Sequence, residues 1–600
     1  MTRHGGLLTP STEAESVNDF EIDDAEQSSP FYMTQAPYDP HRAVKVIIVG
    51  AGIGGIAASC LLPAKVPNLE YVVFERNDTV GGTWALNTYP GVRCDVPSHV
   101  YQLTFAPNPR WSEYYAPGHE IREYYEKVVK DFGVGEHLRL RHEVLRAEWN
   151  EALSHWEVTV QDLVTGDVFV ETAEFFISAQ GRLNVPKKPY IPGLETEFEG
   201  HVCHTAEWDD SYNFSGKKIA IVGNGASGQQ LLVNILPQVD HIDHYARSKQ
   251  WILPTFSSGF LEAKADLPGA YVFTEREKER FASDPPAYLD FRRDLERSLH
   301  DAYHGSIAGT AENEAARQRC VDAMLKRLGG DDQWLKRLLP DYAVGCKRPT
   351  PSPGYLEALR GSQVTYIDSG ISHATRTGLV AVDGKERSVD AIILATGFEN
   401  GFLPLFPTIG KGGLDLAKHW SEDGPAGYPE TYFGIMAPDM PNYFAVLQAQ
   451  SYAAGGTVPL HCETSVTFIA KAMRKIQREG YKALYPSQEA TADFNEYVGA
   501  YHEDKVIGDS CNSWLKAGKG KSRPLVGWPG TGHHRINICR DPRWEDFVFE
   551  RSEPGRRNRY EYFGNGWTQR EKEADPVALT SYLHPAGSID LATLHETWNE

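Results

Sequence analysis

The chain has 600 residues, too many for one hydrophobic core, so two or three domains are expected. Its formal net charge of -21 argues against nucleic acid or an anionic membrane as a main partner, because their phosphates would be repelled. No apolar run approaches the roughly 18 residues of a membrane helix, and the N-terminus lacks the apolar core of a secretory signal. The eight cysteines (60, 94, 203, 320, 346, 462, 511 and 539) include no CxxC, which predicts reduced thiols in a cytoplasmic protein, without a zinc cage or redox dithiol.

Residues 1–42 are polar and acidic and are predicted to be a flexible tail. "VKVIIVGAGIGGIAASCLL" then opens the first ordered element. Val46–Val49 is a continuous apolar run, as in a strand covered on both faces. Gly50-Ala51-Gly52-Ile53-Gly54-Gly55 fits GxGxxG between that strand and an Ala-rich helix. In such a loop Gly50 permits the turn, Gly52 lets backbone approach a pyrophosphate, and Gly55 packs helix on strand. The next strand, "YVVFE", ends at Glu75, where an acid takes ribose hydroxyls. A GG-x-W turn follows, and this order resembles the flavin-binding half of flavoproteins with two dinucleotide sites.

The grammar repeats at "KKIAIVGNGASGQQLLVNI", residues 217–235, with the loop Gly223-Asn224-Gly225-Ala226-Ser227-Gly228. Its second strand, "HIDHYARS", ends without an acid and carries Arg247 and Ser248. An acid would repel a 2'-phosphate, whereas Arg and a hydroxyl accept it, so NADPH is preferred over NADH. Two dinucleotide folds imply hydride transfer from NADPH to a flavin. With no paired-cysteine redox motif to receive the electrons, dioxygen is the remaining large option.

Between 256 and 344 the pattern turns helical. Tyr288, Phe291, Leu295, Leu299 and Tyr303 form one stripe, and Val321, Met324, Leu325 and Leu328 another that ends in Gly329-Gly330, a C-cap signal. His300 and His304 are spaced i,i+4, but no acid or third His completes a metal motif, so none is assigned. "AIILATGFE", 391–399, is again a buried strand and a glycine turn.

Phe198-x-Gly200-xxx-His204-xxx-Trp208-Asp209, between the two loops, resembles in full the fingerprint of type I Baeyer–Villiger monooxygenases. Gly81-Gly82-x-Trp84-xxxx-Tyr89-Pro90-Gly91-xxx-Asp95 matches a second pattern of that family. The likeness covers about residues 40–560, and "GCKRPTPSPGYLEAL" looks most like the fungal branch of polyketide biosynthesis. It implies an FAD- and NADPH-dependent enzyme that inserts oxygen beside a ketone carbonyl through a C4a-peroxyflavin, giving an ester or lactone. An N- or S-oxygenase of the same superfamily is the alternative, and a non-catalytic NADPH sensor a distant one.

The resemblance also assigns residues. Arg348 matches the active-site arginine and Asp95 its orienting carboxylate. Thr83, Trp84, Ala85, Leu86, Val96, Tyr101 and Val144 match FAD contacts. Arg93, Cys94, Gln229 and Lys347 match contacts to the nicotinamide cofactor, and Trp514 a loop residue that folds over it. The His204 and Trp208 segment is implied to couple domain movement to catalysis rather than to do chemistry. Trp251, Phe256 and Tyr355 hint at an apolar pocket. The expected architecture is α/β, with two Rossmann-like domains and a helical insertion. An FAD fold over 43–182 and 395–600, the latter with a C-terminal extension, is interrupted by an NADP fold over 183–255 and 345–394 that carries the insertion at 256–344. The partners are then a small ketone and dioxygen, and the sequence leaves oligomeric state open.

Overall fold

The computed structural model describes residues 33–38, 42–254, 271–399, 402–517, 523–551 and 558–573, with short stretches between 576 and 591. They belong to two compact units, His41–Pro554 and a unit that joins Met1–Pro40 to Gly555–Glu600. In the latter, Tyr38 N–H donates to the Trp567 carbonyl (2.7 Å) and Asn565 N–H to that of Ala36 (2.8 Å). The described part of the expected tail is therefore paired with the C-terminal segment, and residues 1–32 and Phe256 lie outside the described residues.

The larger unit opens with β1 (Val44–Val49), whose apolar run is buried on both faces. The glycine loop leads into α1 (Ile53–Lys65) and on to β2 (Leu69–Phe74), parallel to β1 with Val44 opposite Leu69 and Val49 opposite Phe74. After β3 (Leu138–Arg139) comes an antiparallel ribbon of β4 (His142–Asn150), β5 (His155–Asp162) and β6 (Val168–Ala173). Along β5, Trp156, Val158 and Val160 alternate inward, the period of a half-buried strand. β7 (Phe175–Ser178) then returns beside β1.

A second sheet follows: β8 (His201–His204), β9 (Lys218–Val222), α2 (Ala226–Ile235) and β10 (His241–Tyr245). After the helical segment, β11 (Val364–Ile367) and β15 (Ala391–Leu394) complete it, and between them β12 (Ile371–Ala374), β13 (Gly378–Ala381) and β14 (Glu386–Ser388) form a separate β-meander. The order of the second sheet is β11-β10-β9-β15-β8, parallel throughout. β16 (Thr408–Ile409) then joins the ribbon, and β17 (Tyr443–Ala445) joins the first sheet, in the order β17-β7-β1-β2-β3. The first dinucleotide fold is therefore discontinuous, with the second set into it. α3 (Val458–Glu479) contributes Ile469 and Met473 to the core around Ile56 and Ala57 of α1.

In the insertion, helix Pro285–Asp301 buries Tyr288 and Leu295, with Phe291 and Leu299 beside them. Tyr303, the last residue of the expected stripe, lies past the helix end in a 3-10 turn, Ala302–Ser306. The stripe packs on Val100, Tyr114 and Tyr115 of the first fold, although its place in the chain is inside the second. Arg292 Nε donates to the His99 carbonyl (3.1 Å), and Tyr288 OH lies 2.9 Å from His99 Nδ1. Gly329 (φ +68°) and Gly330 (φ +79°) close helix Ala311–Arg327 as the C-cap signal predicts, Gly330 N–H bonding the Leu325 carbonyl at 2.9 Å.

The expectation of wholly reduced thiols needs correction. Cys346 and Cys511 form a disulfide, with Cα atoms 6.2 Å apart. Their separation of 165 residues leaves no local spacing that could mark them. The other six cysteines are free and buried. Among the described residues no helix is long and apolar enough to cross a membrane, and no His/Cys/Asp/Glu group could hold a metal.

Candidate active site

Both glycine loops are shaped by contacts that a side chain would break. A Cβ on Gly50 (φ +103°) would lie 2.5 Å from the Ala179 carbonyl oxygen, and one on Gly55 only 1.8 Å from that of Gly50. The same two relations recur where Gly223 meets Ala395 and Gly228 meets Gly223, each at 2.2 Å. Each loop thus packs its strand, its helix and a neighbouring strand end closely together. Neither α1 nor α2 carries a side-chain cap, so their first N–H groups stay open for phosphate. A cavity of about 2340 Å³ runs between the loops and is lined by Gly50, Gly52, Gly223, Asn224, Gly225, Ala226 and Ser227. The residues therefore fit two dinucleotides.

Around the first loop, Glu75 is buried and accepts from Ala51 N–H (2.8 Å) and from Asn77 N–H (2.9 Å), which fixes the turn. Gly82 presses against Gly52, so the GG-x-W turn lies directly on the glycine loop. Thr83, Trp84, Leu86, Val96, Tyr101 and Val144 line the cavity, whereas Ala85 stands off its wall near Gly81. Trp84 Nε1 donates to Tyr101 OH (3.3 Å). Arg93 pairs with Glu113 at 2.8 Å, and burial pushes the neighbouring Cys94 thiol pKa up.

Asp95 and Arg348 come together on the wall. Arg348 Nε donates to Asp95 Oδ2 at 3.1 Å and Nη2 to Oδ1 at 2.5 Å, a bidentate fork. The Asp95 charge is the main cause of a raised Arg348 pKa, against the opposing effect of burial. About a third of the Arg348 side chain (34%) still faces the cleft, against 16% for Asp95.

On the second fold, Arg247 and Ser248 are exposed at the end of β10 and line the cleft with Lys347. Burial pulls the Lys347 pKa below that of an ordinary lysine, with Asp341 opposing the shift and repulsion from Arg247 adding to it. Two cations near enough to repel on one cleft wall, only partly offset by Asp341, suit a phosphate. Gln229 and Gln230 part company. Gln229 is fully buried, accepts from Thr350 (2.7 Å) and Ser352, and ties α2 to the Lys347-Arg348 segment instead of facing the cleft. Gln230, not singled out in the sequence, faces the cleft, where it accepts from Tyr89 OH (2.8 Å) and donates to the Arg93 carbonyl (3.1 Å). It fastens the second fold to the first.

The segment 509–516 docks on 343–348. The Cys346–Cys511 bond links them, and Asp509 accepts from Ala343 N–H at 2.8 Å. This places Trp514 on the cleft wall, with the Arg182 guanidinium 5.4 Å from its ring centre. Arg182 is a second residue that no sequence pattern marks.

The fingerprint lies off the cavity. β8 is the edge strand of the second sheet, and a Cβ on Gly200 would meet the Asp390 carbonyl oxygen at 2.6 Å. His204 is buried, its Nδ1 accepts from Ala206 N–H (3.1 Å), and burial is the main cause of its lowered pKa. Its ring lies 6.2 Å from that of Phe398, in the segment after β15 that leads back to the first fold. Trp208 stacks on Phe214 at 4.9 Å, and Asp209 accepts from Ser211 N–H (2.9 Å). Phe198 packs on the far side of the same sheet, against Leu194 and Leu379.

Fold and site together define a flavin-dependent oxidoreductase with two dinucleotide folds. A family model described as an NAD(P)-binding Rossmann-like domain matches residues 48–117, the first loop and the Trp84 turn. The chain is 33% identical to the FAD-binding monooxygenase stcW of Emericella nidulans, over 90% of this chain and 89% of that one. It is 34% identical to a Baeyer-Villiger monooxygenase of Streptomyces coelicolor, over 82% and 90%. The solved structure of cyclohexanone monooxygenase from Rhodococcus sp. Phi1 bound to NADP+ superposes with a TM-score of 0.72 at 25% identity, over 85% of this chain and 99% of that one. The chain belongs to the Baeyer–Villiger monooxygenase family and uses FAD and NADPH.

Proposed function

We propose that the enzyme inserts one atom of dioxygen beside the carbonyl of a ketone in fungal secondary metabolism of the polyketide type, with Arg348 holding the developing negative charge and Asp95 positioning it. The bidentate Arg348–Asp95 pair on the wall between the two cofactor folds carries this reading. Likeness to a fungal FAD-binding monooxygenase supports the metabolic setting. FAD reduced by NADPH supplies the activated oxygen.

Ketone oxygen becomes anionic as its carbon turns tetrahedral, and a fixed guanidinium pointing into the cleft stabilises that charge without reorganising. Asp95 occupies Nε and Nη2, which leaves Nη1 to face the reacting groups and fixes the plane of the fork. Lys347 and Arg247 receive the 2'-phosphate and so select NADPH. The Trp514 segment excludes water from the same wall.

The test is ester formation. The FAD-loaded enzyme should convert 4-phenyl-2-butanone and NADPH to an ester carrying one label from 18O2. Sulfoxidation of thioanisole with no ester from a panel of ketones would point to the heteroatom-oxygenating alternative.

A further inference from the structure

Arg182 stands in the cleft wall with its charge unanswered. It follows β7 through Gly181 (φ +71°), where the chain crosses toward the second fold. Its guanidinium lies 5.6 Å from the ring centre of Phe402 and 5.4 Å from that of Trp514. Its Nη1 is sealed from solvent and bonds nothing. The carboxylate of this wall, Asp95, is already committed to Arg348 through both oxygens. Among the described residues no carboxylate pairs with Arg182.

Burial is the main cause that draws the Arg182 pKa down to about 10. Tyr452 opposes the shift and Arg348 adds to it. The group therefore keeps its proton at neutral pH. A charged guanidinium without a partner is costly to bury, and one placed beside another guanidinium more so. Rings on its faces satisfy only part of that demand, because cation–π contact leaves the N–H edge free. Planar N–H pairs of this kind match a carboxylate, and a single N–H of the fork can donate to a phenolate oxygen. Asp95 is taken up by Arg348, so among the described residues the Arg182 charge has no carboxylate partner of its own on this wall.

We propose that Arg182 binds an anionic oxygen, a carboxylate or a phenolate, on the substrate, so that the enzyme prefers acidic ketones over neutral ones of the same shape. This specificity rests on the oxygenation reading above.

The probes are 4-acetylbenzoate and its methyl ester. Their binding to the FAD-loaded enzyme is read from perturbation of the flavin absorbance, and products are read in parallel. Wild type should bind the acid at least about tenfold more tightly than the ester, as expected for a charge-assisted contact. Arg182→Gln should remove that preference and leave the methyl ester within about twofold, which also shows an intact fold, and Arg182→Lys should restore part of it. Equal binding of both probes by wild type would overturn the proposal, and so would equal weakening of both in Arg182→Gln. A shift in NADPH affinity or FAD retention in place of acid binding would overturn it too, by assigning the guanidinium to a cofactor. A retained acid preference with no ester from either ketone would support the anion site and contradict the oxygenation reading. Ester made without preference would do the reverse.

Discussion

Arg348 and Asp95 lie 253 residues apart in the chain and meet through two parallel hydrogen bonds on the wall between two cofactor folds. The pairing makes Asp95 a positioning residue, and its removal frees a partly buried guanidinium to turn. Asp95→Asn should lower kcat for ester formation about 10- to 100-fold, short of the loss of a direct charge-stabilising donor. Flavin reduction by NADPH without oxygen should proceed at close to the wild-type rate. Rapid reaction kinetics separate the two steps.

Selection of NADPH rests on Arg247 and Lys347. Replacing either by Ala should raise KM for NADPH about tenfold, the worth of one charge-assisted contact, and leave KM for NADH nearly unchanged. Initial rates with both cofactors check this. Equal loss with both would place these cations elsewhere than at the 2'-phosphate.

The Cys346–Cys511 bond predicts a thiol count. The unfolded, unreduced protein should show six reactive thiols, the free ones, and eight after reduction. Cys511→Ser should weaken NADPH binding, because it releases the segment that presents Trp514. It should also destabilise the protein by about 2–4 kcal/mol, the range for loss of a native disulfide. Thiol titration and thermal unfolding test both, and eight thiols before reduction would contradict the pairing.

Glu296, on helix Pro285–Asp301, has a sealed Oε2 without a partner. Burial, against the opposing pull of Arg292, raises its pKa from 4.5 to about 7. The folded state then holds a proton that the unfolded chain has released, so the stabilisation is present below pH 4.5 and is lost as pH rises to about 7. The loss is at most about 3 kcal/mol. Glu296→Gln should match wild type in thermal midpoint near pH 5 and exceed it at pH 8. A constant difference across that range would show that Glu296 is ionised in the fold.

Much of the scaffold is legible in the sequence. Residues 46–49, 219–222 and 391–394 are apolar runs that suit a sheet covered on both faces, and the glycine loops follow from backbone contacts that exclude a Cβ. Asp95 and Arg348 were reachable only through resemblance, since neither lies in a periodic pattern. Local signals fail where the partner is distant. Tyr288 and Leu295 mark a buried face without naming the surface that covers it, and Cys346 carries no trace of Cys511. Gln229 and Gln230 are neighbours on one helix, where a step of about 100° sends one inward and the other to the cleft.

The central claim, that Arg348 stabilises the charge formed on the ketone, is tested most directly with Arg348→Ala. The FAD-loaded variant is given NADPH first without oxygen, then with 18O2 and 4-phenyl-2-butanone, and is read for flavin bleaching and labelled ester. Flavin reduction near the wild-type rate with ester formation down about 100- to 1000-fold is the predicted result. Ester formation within a few-fold of wild type would contradict it.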